Sequence, residues 1–162
     1  MVERIVTRIG DIFCVEIDHE YKCYFQYVAK DMTMLNSSVI RVFACHYPIS
    51  KEPTMDEIIN DDVDFYAHTV LRFGIENHAW YKVGKHKNIG NPENISFRMY
   101  DDIGNLSITK SYKWNIWRIN QEQQFIGELT DEYIKLDLGI VFSYHNIVNK
   151  IEKGVYLFKH VD

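Results

Sequence analysis

The sequence is poor in cysteine and proline, and it lacks the cysteine spacings of stapled or metal-bound small domains. Its 162 residues include three cysteines and three prolines, with no C-x-x-C pair. This pattern argues against a zinc ribbon or a redox motif. Cys14, Cys23 and Cys45 lie within apolar runs, so we expect free, buried thiols and a reducing compartment, the cytoplasm.

Long apolar runs and a basic balance of charge are also missing. No stretch approaches the roughly 18 apolar residues of a membrane span, and the N-terminal residues lack the apolar region of a signal peptide. Lys and Arg number 18 against 23 Asp and Glu, a net charge of −5. Because nucleic-acid binding normally requires a basic face, we expect neither a nucleic-acid partner nor a membrane. An acidic domain could instead meet a basic protein.

The residue patterns of common active sites are absent. None of the seven histidines has H-x-H or H-x-x-x-H spacing, and neither a G-x-S-x-G elbow nor a phosphate-binding glycine motif occurs. Asp61, Asp62 and Asp64 could bind a cation or act as an acid and base. They lack the glycine and distal glutamate of an EF-hand loop, so we interpret them as a solvated helix end. We predict no catalytic residue, no cofactor, no metal site and therefore no enzyme.

Aromatic residues are abundant and favour strands. They make up 14% of the chain, with eleven tyrosines, and such side chains suit pleated, half-buried surfaces. Alternation and apolar runs between turn residues predict nine strands. These cover residues 12–17, 21–28, 39–46, 63–73, 79–83, 95–100, 106–109, 112–119 and 155–161. Residues 101–105 look like the turn of a hairpin.

Two helices are predicted by caps and periodicity. Thr54 and Glu57 fit a capping box at the start of a short helix. A C-terminal helix is indicated by apolar residues at helical spacing and by Gly154 just past its end; they are Ile140, Tyr144, Ile147, Val148 and Ile151. The sum is one domain over residues 1–162, of the α+β class and β-rich. We expect a mainly antiparallel curled sheet or a small barrel, with one C-terminal helix and one short helix.

Large rings in two strand candidates form the main candidate surface. Trp80 and Tyr81 stand in one of them, Trp114 and Trp117 in the other. Exposed, they would make a platform for a protein partner, since Trp and Tyr dominate binding hot spots; buried, they would be core. The core interpretation is favoured for any single tryptophan, although we expect at least one of the rings to be exposed.

The longest polar segment, residues 84–94, is interpreted as a flexible surface loop that could contribute to the same site. It carries two glycines and a short basic run. The candidate partner-binding residues are Trp80, Tyr81, Trp114, Trp117, Lys85, His86, Lys87, Asp61, Asp62 and Asp64.

The opening of the chain resembles a known family. The stretch from Arg8 to Asp18, with Gly-Asp-Ile-Phe at its start, is followed by Tyr24-Phe-Gln-Tyr-Val28. It is similar to bacterial immunity proteins of the Imm26-like group, which begin with a Gly-Asp-[Ile/Val]-Phe strand and an aromatic second strand. The resemblance implies a cytoplasmic protein that binds and neutralises a toxin without catalysis.

Two other function classes stay open at this point. One is a ligand-binding or enzymatic small barrel with its site near residues 84–94, which requires a concave pocket with converging His and carboxylate groups. The other is a structural component of a phage or secretion apparatus, which requires a symmetric assembly. The sequence leaves the oligomeric state open.

Overall fold

The computed structural model describes residues 4–162. These residues form eleven strands and three α-helices, with a 3₁₀ turn at Pro92–Asn94. In chain order the elements are β1 (Asp11–Ile17), β2 (Tyr21–Asp31), β3 (Ser37–Phe43), β4 (Tyr47–Pro48), α1 (Met55–Ile59), β5 (Val63–Thr69), α2 (Leu71–Glu76), β6 (Tyr81–Lys85), β7 (Ser96–Tyr100), β8 (Trp114–Arg118), β9 (Gln124–Gly127), β10 (Asp137–Leu138), β11 (Val141–Phe142) and α3 (Tyr144–Lys153).

The strands make two sheets. The large sheet has the order β11-β5-β3-β2-β1-β6, with β4 beside β2, and the small sheet has the order β10-β7-β8-β9. Pairing is antiparallel except for β11 with β5 and β10 with β7. The predicted β-rich α+β class is confirmed. Of the two predicted forms the curled sheet is correct, because β6 and β11 lie at opposite ends of the large sheet and do not pair. The barrel required by the ligand-binding alternative is therefore not formed by residues 4–162.

Both faces of the large sheet are buried. On one face, Phe13, Phe25 and Val42 pack in a core with Trp114 and with Ile147 of α3. The opposite face packs against α1 through a second cluster, which contains Ile12, Cys14, Tyr24, Phe43, Ile58 and Ile59. As a result, β2 and β3 are buried almost throughout, including polar residues such as Gln26 and Arg41.

Both predicted helices form, each with a capping residue, although Ile140, predicted on the apolar face of the C-terminal helix, lies before β11 and outside that helix. Thr54 accepts a hydrogen bond from the Glu57 backbone, and Glu57 accepts one in return from the Thr54 backbone. Ser143 caps α3, and Gly154 ends that helix in the left-handed conformation with φ 78°. No helix among the described residues has the length and apolarity needed to cross a membrane.

The prediction of one strand over residues 63–73 is wrong in its second half. The strand ends at Thr69 and the chain turns into α2, a helix that the sequence reading missed. Gly74 of α2 lies so close to the Trp80 ring that an added Cβ would overlap it. The Trp80 indole N–H donates to the Leu71 carbonyl at 3.1 Å. Packing against this ring therefore selects the helix.

Two further predicted strands, at residues 106–109 and 155–161, do not form. Strand β7 pairs with β8 instead, so residues 101–113 make one long connection between them. Residues 155–161 lie along α3, where Asn149 donates to the Val155 carbonyl at 2.8 Å and Asn146 accepts from the Leu157 backbone at 2.8 Å. Side-chain amides of the helix therefore bond to the backbone groups of this segment that would otherwise pair with a neighbouring strand.

Candidate partner-binding surface

The three tryptophans belong to the core. Trp80 packs edge-on against Phe25, with 5.1 Å between ring centroids. Trp114 lies beneath the Arg98 guanidinium at 4.9 Å, and Trp117 is buried beside Phe97. The core interpretation favoured for each tryptophan is therefore correct, and these three rings are wrong as partner-binding candidates, because each lies in a buried cluster. Of the four candidate rings, Tyr81 is the exposed one.

Trp117 reaches a polar cluster of Asp31, His68, Trp117 and Asn120, which we call the Asp31 hub. The first three residues are buried, and Asn120 is exposed. One carboxylate oxygen of Asp31 accepts from the Trp117 indole N–H at 2.9 Å and lies 2.9 Å from His68 Nε2. The other oxygen accepts from the Asn120 backbone at 3.0 Å and from the Met34 backbone at 3.5 Å. The hub joins β2 and β5 of the large sheet to β8 of the small one.

The hub connects strands of the two sheets, and its Asp31 and His68 side chains do not contact solvent. Asp31 and His68 are both fully buried, and burial lowers the pKa of His68 although the bond to Asp31 opposes that shift. Among residues 4–162, His68 Nδ1 has no hydrogen-bond partner. An imidazole held neutral beside a carboxylate would suit acid–base chemistry only if a reactant could reach it.

Of the predicted acidic residues, Asp61 and Asp62 lie in the turn between α1 and β5, and Asp64 lies near the start of β5. Asp61 accepts from the Cys45 backbone at 2.6 Å and from the Asp62 backbone at 2.8 Å, which agrees with its interpretation as a capping group. Asp62 and Asp64 are exposed. Within residues 4–162 no three His, Cys, Asp or Glu side chains are arranged to hold a metal ion.

The remaining candidates, Tyr81, Lys85, His86 and Lys87, follow one another along the end of the large sheet. We call residues 81–87 the β6 edge. Strand β6 pairs with β1 on one side and, within the described part of the chain, with no strand on the other. Tyr81 is 46% exposed and Val83 37% exposed. Strand β6, with five residues, is longer than β11, the two-residue strand at the other end of the large sheet.

Polar contacts fix the β6 edge to the sheet. The Tyr81 hydroxyl donates to Glu16 at 3.0 Å. Lys82 forms an ion pair of 3.0 Å with Asp11, whose side chain is only 2% exposed. His86 Nε2 lies 2.7 Å from a carboxylate oxygen of the exposed Asp56.

Two buried polar side chains donate hydrogen bonds to the backbone of residues 86–88. The Gln26 amide donates to the carbonyls of His86 at 3.0 Å and Gly10 at 3.2 Å. Arg41 donates to the Gln26 amide oxygen at 2.9 Å and to the Asn88 carbonyl at 2.9 Å. Burial lowers the pKa of Arg41. The predicted flexible loop is therefore anchored at this end.

Sequence reasoning missed these anchors because their partners are backbone carbonyls. Gln26 stands in an apolar strand, and its polarity was the only visible signal. A buried amide requires partners, but the sequence does not say which segment supplies them.

A groove of about 480 Å³ runs beside the anchored segment, lined by Ile9, Gly10, Lys85, His86 and Lys87. Ile9 exposes half of its side-chain surface, and both lysines are exposed. The groove thus offers an apolar contact flanked by cations. Such a surface can bind a partner side chain, but it holds no nucleophile paired with a base.

Comparison with known proteins places this surface within a family. No match was found among curated proteins or among solved structures. Residues 8–106 match the family Immunity protein 26, and this range contains β1 to β7, both anchoring side chains and the whole β6 edge. Since the matched residues make up more than half of the chain, the protein belongs to the Immunity protein 26 family.

Proposed function

We propose that this protein is an immunity protein that binds a cognate bacterial toxin in the cytoplasm. It neutralises the toxin by occupation, which means that it stays bound to the toxin and catalyses no reaction of its own. The observation that carries the proposal is the family match over residues 8–106. The three free cysteines support a reducing compartment.

The β6 edge supports a binding role in physical terms. Its residues are exposed, yet its backbone is anchored by buried side chains. A preorganised surface binds with a smaller loss of conformational entropy than a flexible loop does. This favours tight, stoichiometric association with a protein.

Co-expression with the toxin domain encoded beside the gene tests the proposal. We expect the protein to restore growth, and the purified proteins to elute together as one complex. Absence of both protection and a complex would remove the proposal.

A titration separates occupation from catalysis. If the protein acts by occupation, residual toxin activity should fall linearly with added protein and reach its minimum at a fixed stoichiometric ratio. Complete protection at a small fraction of that ratio would indicate turnover, and the proposal of a non-catalytic protein would then be wrong. Unrelated toxin domains, which should keep their activity, provide the control.

A further inference from the structure

We infer that the β6 edge receives an extended, acidic segment of the partner protein, which adds to the large sheet as a further strand. This inference rests on the proposed function, in that the partner is the toxin. It specifies how the partner is bound and which chemistry is recognised.

The first support is the free backbone of β6. The His86 backbone N–H donates to the Gly10 carbonyl at 2.9 Å, so it points towards the strand that pairs with β6. Because backbone groups alternate in direction along a strand, the N–H and C=O of Lys85 point away from β1. A register shift in the pairing with β1, between Gly84 and Lys82, limits this alternation argument to Lys85. Unpaired backbone groups at a strand edge are a template for an added strand.

The second support is charge. Lys85 and Lys87 are exposed, and neither forms an ion pair with a carboxylate in residues 4–162. The neighbouring charges are already engaged: Asp11 binds Lys82, and Asp56 binds His86. Two unpaired cations therefore flank the groove of a protein whose net charge is −5. Carboxylates on the partner would complement them.

The same lysines argue against a second copy of this chain as the occupant. Antiparallel pairing of two β6 strands would place Lys82, Lys85 and their copies on one ribbon. Like charges across paired strands are destabilising, and edge lysines commonly prevent self-association. An acidic strand has no such penalty.

Apolar side chains beside the lysines indicate which further residues the partner segment should carry. Ile9 and Val83 are partly exposed on the β6 edge and its groove. Because side chains alternate along a strand, a segment that alternates acidic and apolar residues can contact the lysines and these apolar groups together.

Charge reversal tests the inference in the toxin complex. We expect the double substitution Lys85→Glu and Lys87→Glu to weaken toxin binding by about tenfold or more. Lys113→Glu with Lys159→Glu makes the same change in net charge at two exposed lysines elsewhere, and it should leave affinity within about twofold. Equal affinity of both double variants would overturn the inference while leaving the proposed function intact.

Backbone pairing is tested by comparing Lys85→Pro with Lys85→Ala. Both remove the side-chain charge, but only proline removes the outward N–H, and proline is tolerated at such edge positions. We expect Lys85→Pro to bind at least about fivefold more weakly than Lys85→Ala. Equal binding by two folded variants would rule out strand addition. If the proline variant unfolds, slowed hydrogen exchange at the Lys85 amide in the wild-type complex gives the same information, and unchanged exchange would rule out strand addition.

A peptide of alternating Glu and Val residues makes the test independent of the toxin. In NMR titrations it should shift amide resonances of residues 81–87, and a Lys and Val peptide should not. If the toxin fails to bind the wild-type protein, the proposed function fails, and the peptide result alone decides the inference. A dimer formed through β6 in sedimentation experiments would overturn it in favour of a second copy.

Discussion

We expect the substitution Asp31→Asn to lower the free energy of unfolding by about 2–4 kcal/mol. Three donors lie within 3.0 Å of the carboxylate: His68 Nε2 and the Trp117 indole on one oxygen, and the Asn120 backbone on the other. The Met34 backbone N–H also donates to that second oxygen, at 3.5 Å. An asparagine side chain has only one oxygen. At least one donor must therefore face an NH₂ group.

The magnitude follows from counting these donors. In the better orientation the amide oxygen keeps His68 and Trp117, and the N–H groups of Asn120 and Met34 face an NH₂ group in a partly buried site, at a cost of about 1–3 kcal/mol. The two remaining bonds lose the strength that a charged acceptor provides, about 1 kcal/mol in total after the gain from removing a buried charge. Asp31→Ala leaves all three donors unpaired and opens a cavity, so we expect a loss of about 4 kcal/mol or more.

Urea denaturation followed by tryptophan fluorescence measures these losses, since Trp117 belongs to the hub. Asp131→Asn, at an exposed position, is the matched control and should stay within about 0.5 kcal/mol of the wild type. A similarly small effect of Asp31→Asn would refute the account of the hub, as would an alanine variant no less stable than the asparagine variant.

Three further substitutions test how buried groups affect the stability of the protein. Burial raises the pKa of Asp137 to about 6, above its ordinary value of 3.8. The stability that the protonated carboxyl contributes is therefore lost as pH rises through about 6. Asp137→Asn, which keeps the bond from the Tyr66 backbone, should gain in melting temperature over the wild type between pH 4 and pH 7, and a constant difference would contradict this. The lowered pKa of His68 means that the wild type loses stability as pH falls below about 6.5, and His68→Gln should flatten that slope in melts over the same range. Gly74→Ala places a Cβ in the Trp80 ring and should cost about 1–3 kcal/mol in urea denaturation; in a Trp80→Leu background the added cost should fall, and an unchanged cost would locate the strain elsewhere.

The elements predictable from the sequence are those with a strong local signal. Phe13, Val15 and Ile17 alternate along β1 and lie in the core. The Thr54 and Glu57 capping box forms as expected. Such patterns act over a few residues and need no knowledge of the rest of the fold.

The errors come from segments whose local pattern is ambiguous. Residues 63–73 are apolar enough for a strand. However, the Leu71 carbonyl accepts a hydrogen bond from the Trp80 indole, and the chain forms a helix at this point. Residues 155–161 also alternate like a strand. There, Tyr156 stacks on Phe142 with 3.8 Å between ring centroids, so tertiary packing overrides strand propensity.

The candidate surface could be predicted only in part. The polar segment with Lys85 and Lys87 was found from composition, because polar loops lie at the surface. The tryptophans were ambiguous, since residue type does not distinguish a buried ring from an exposed one. Arg41 in an apolar strand gave no indication that it would anchor this segment.

The Asp31 hub also bears on the order of folding events. Its three close donors lie 37, 86 and 89 residues after Asp31 in the chain, and only the long bond from Met34 is local. Closing such long loops has an entropic cost before any contact forms. We therefore expect the hub to assemble after the rate-limiting step, so that Asp31→Asn accelerates unfolding and barely slows refolding in stopped-flow measurements. One buried carboxylate would then set how long the native state lasts rather than how quickly it forms.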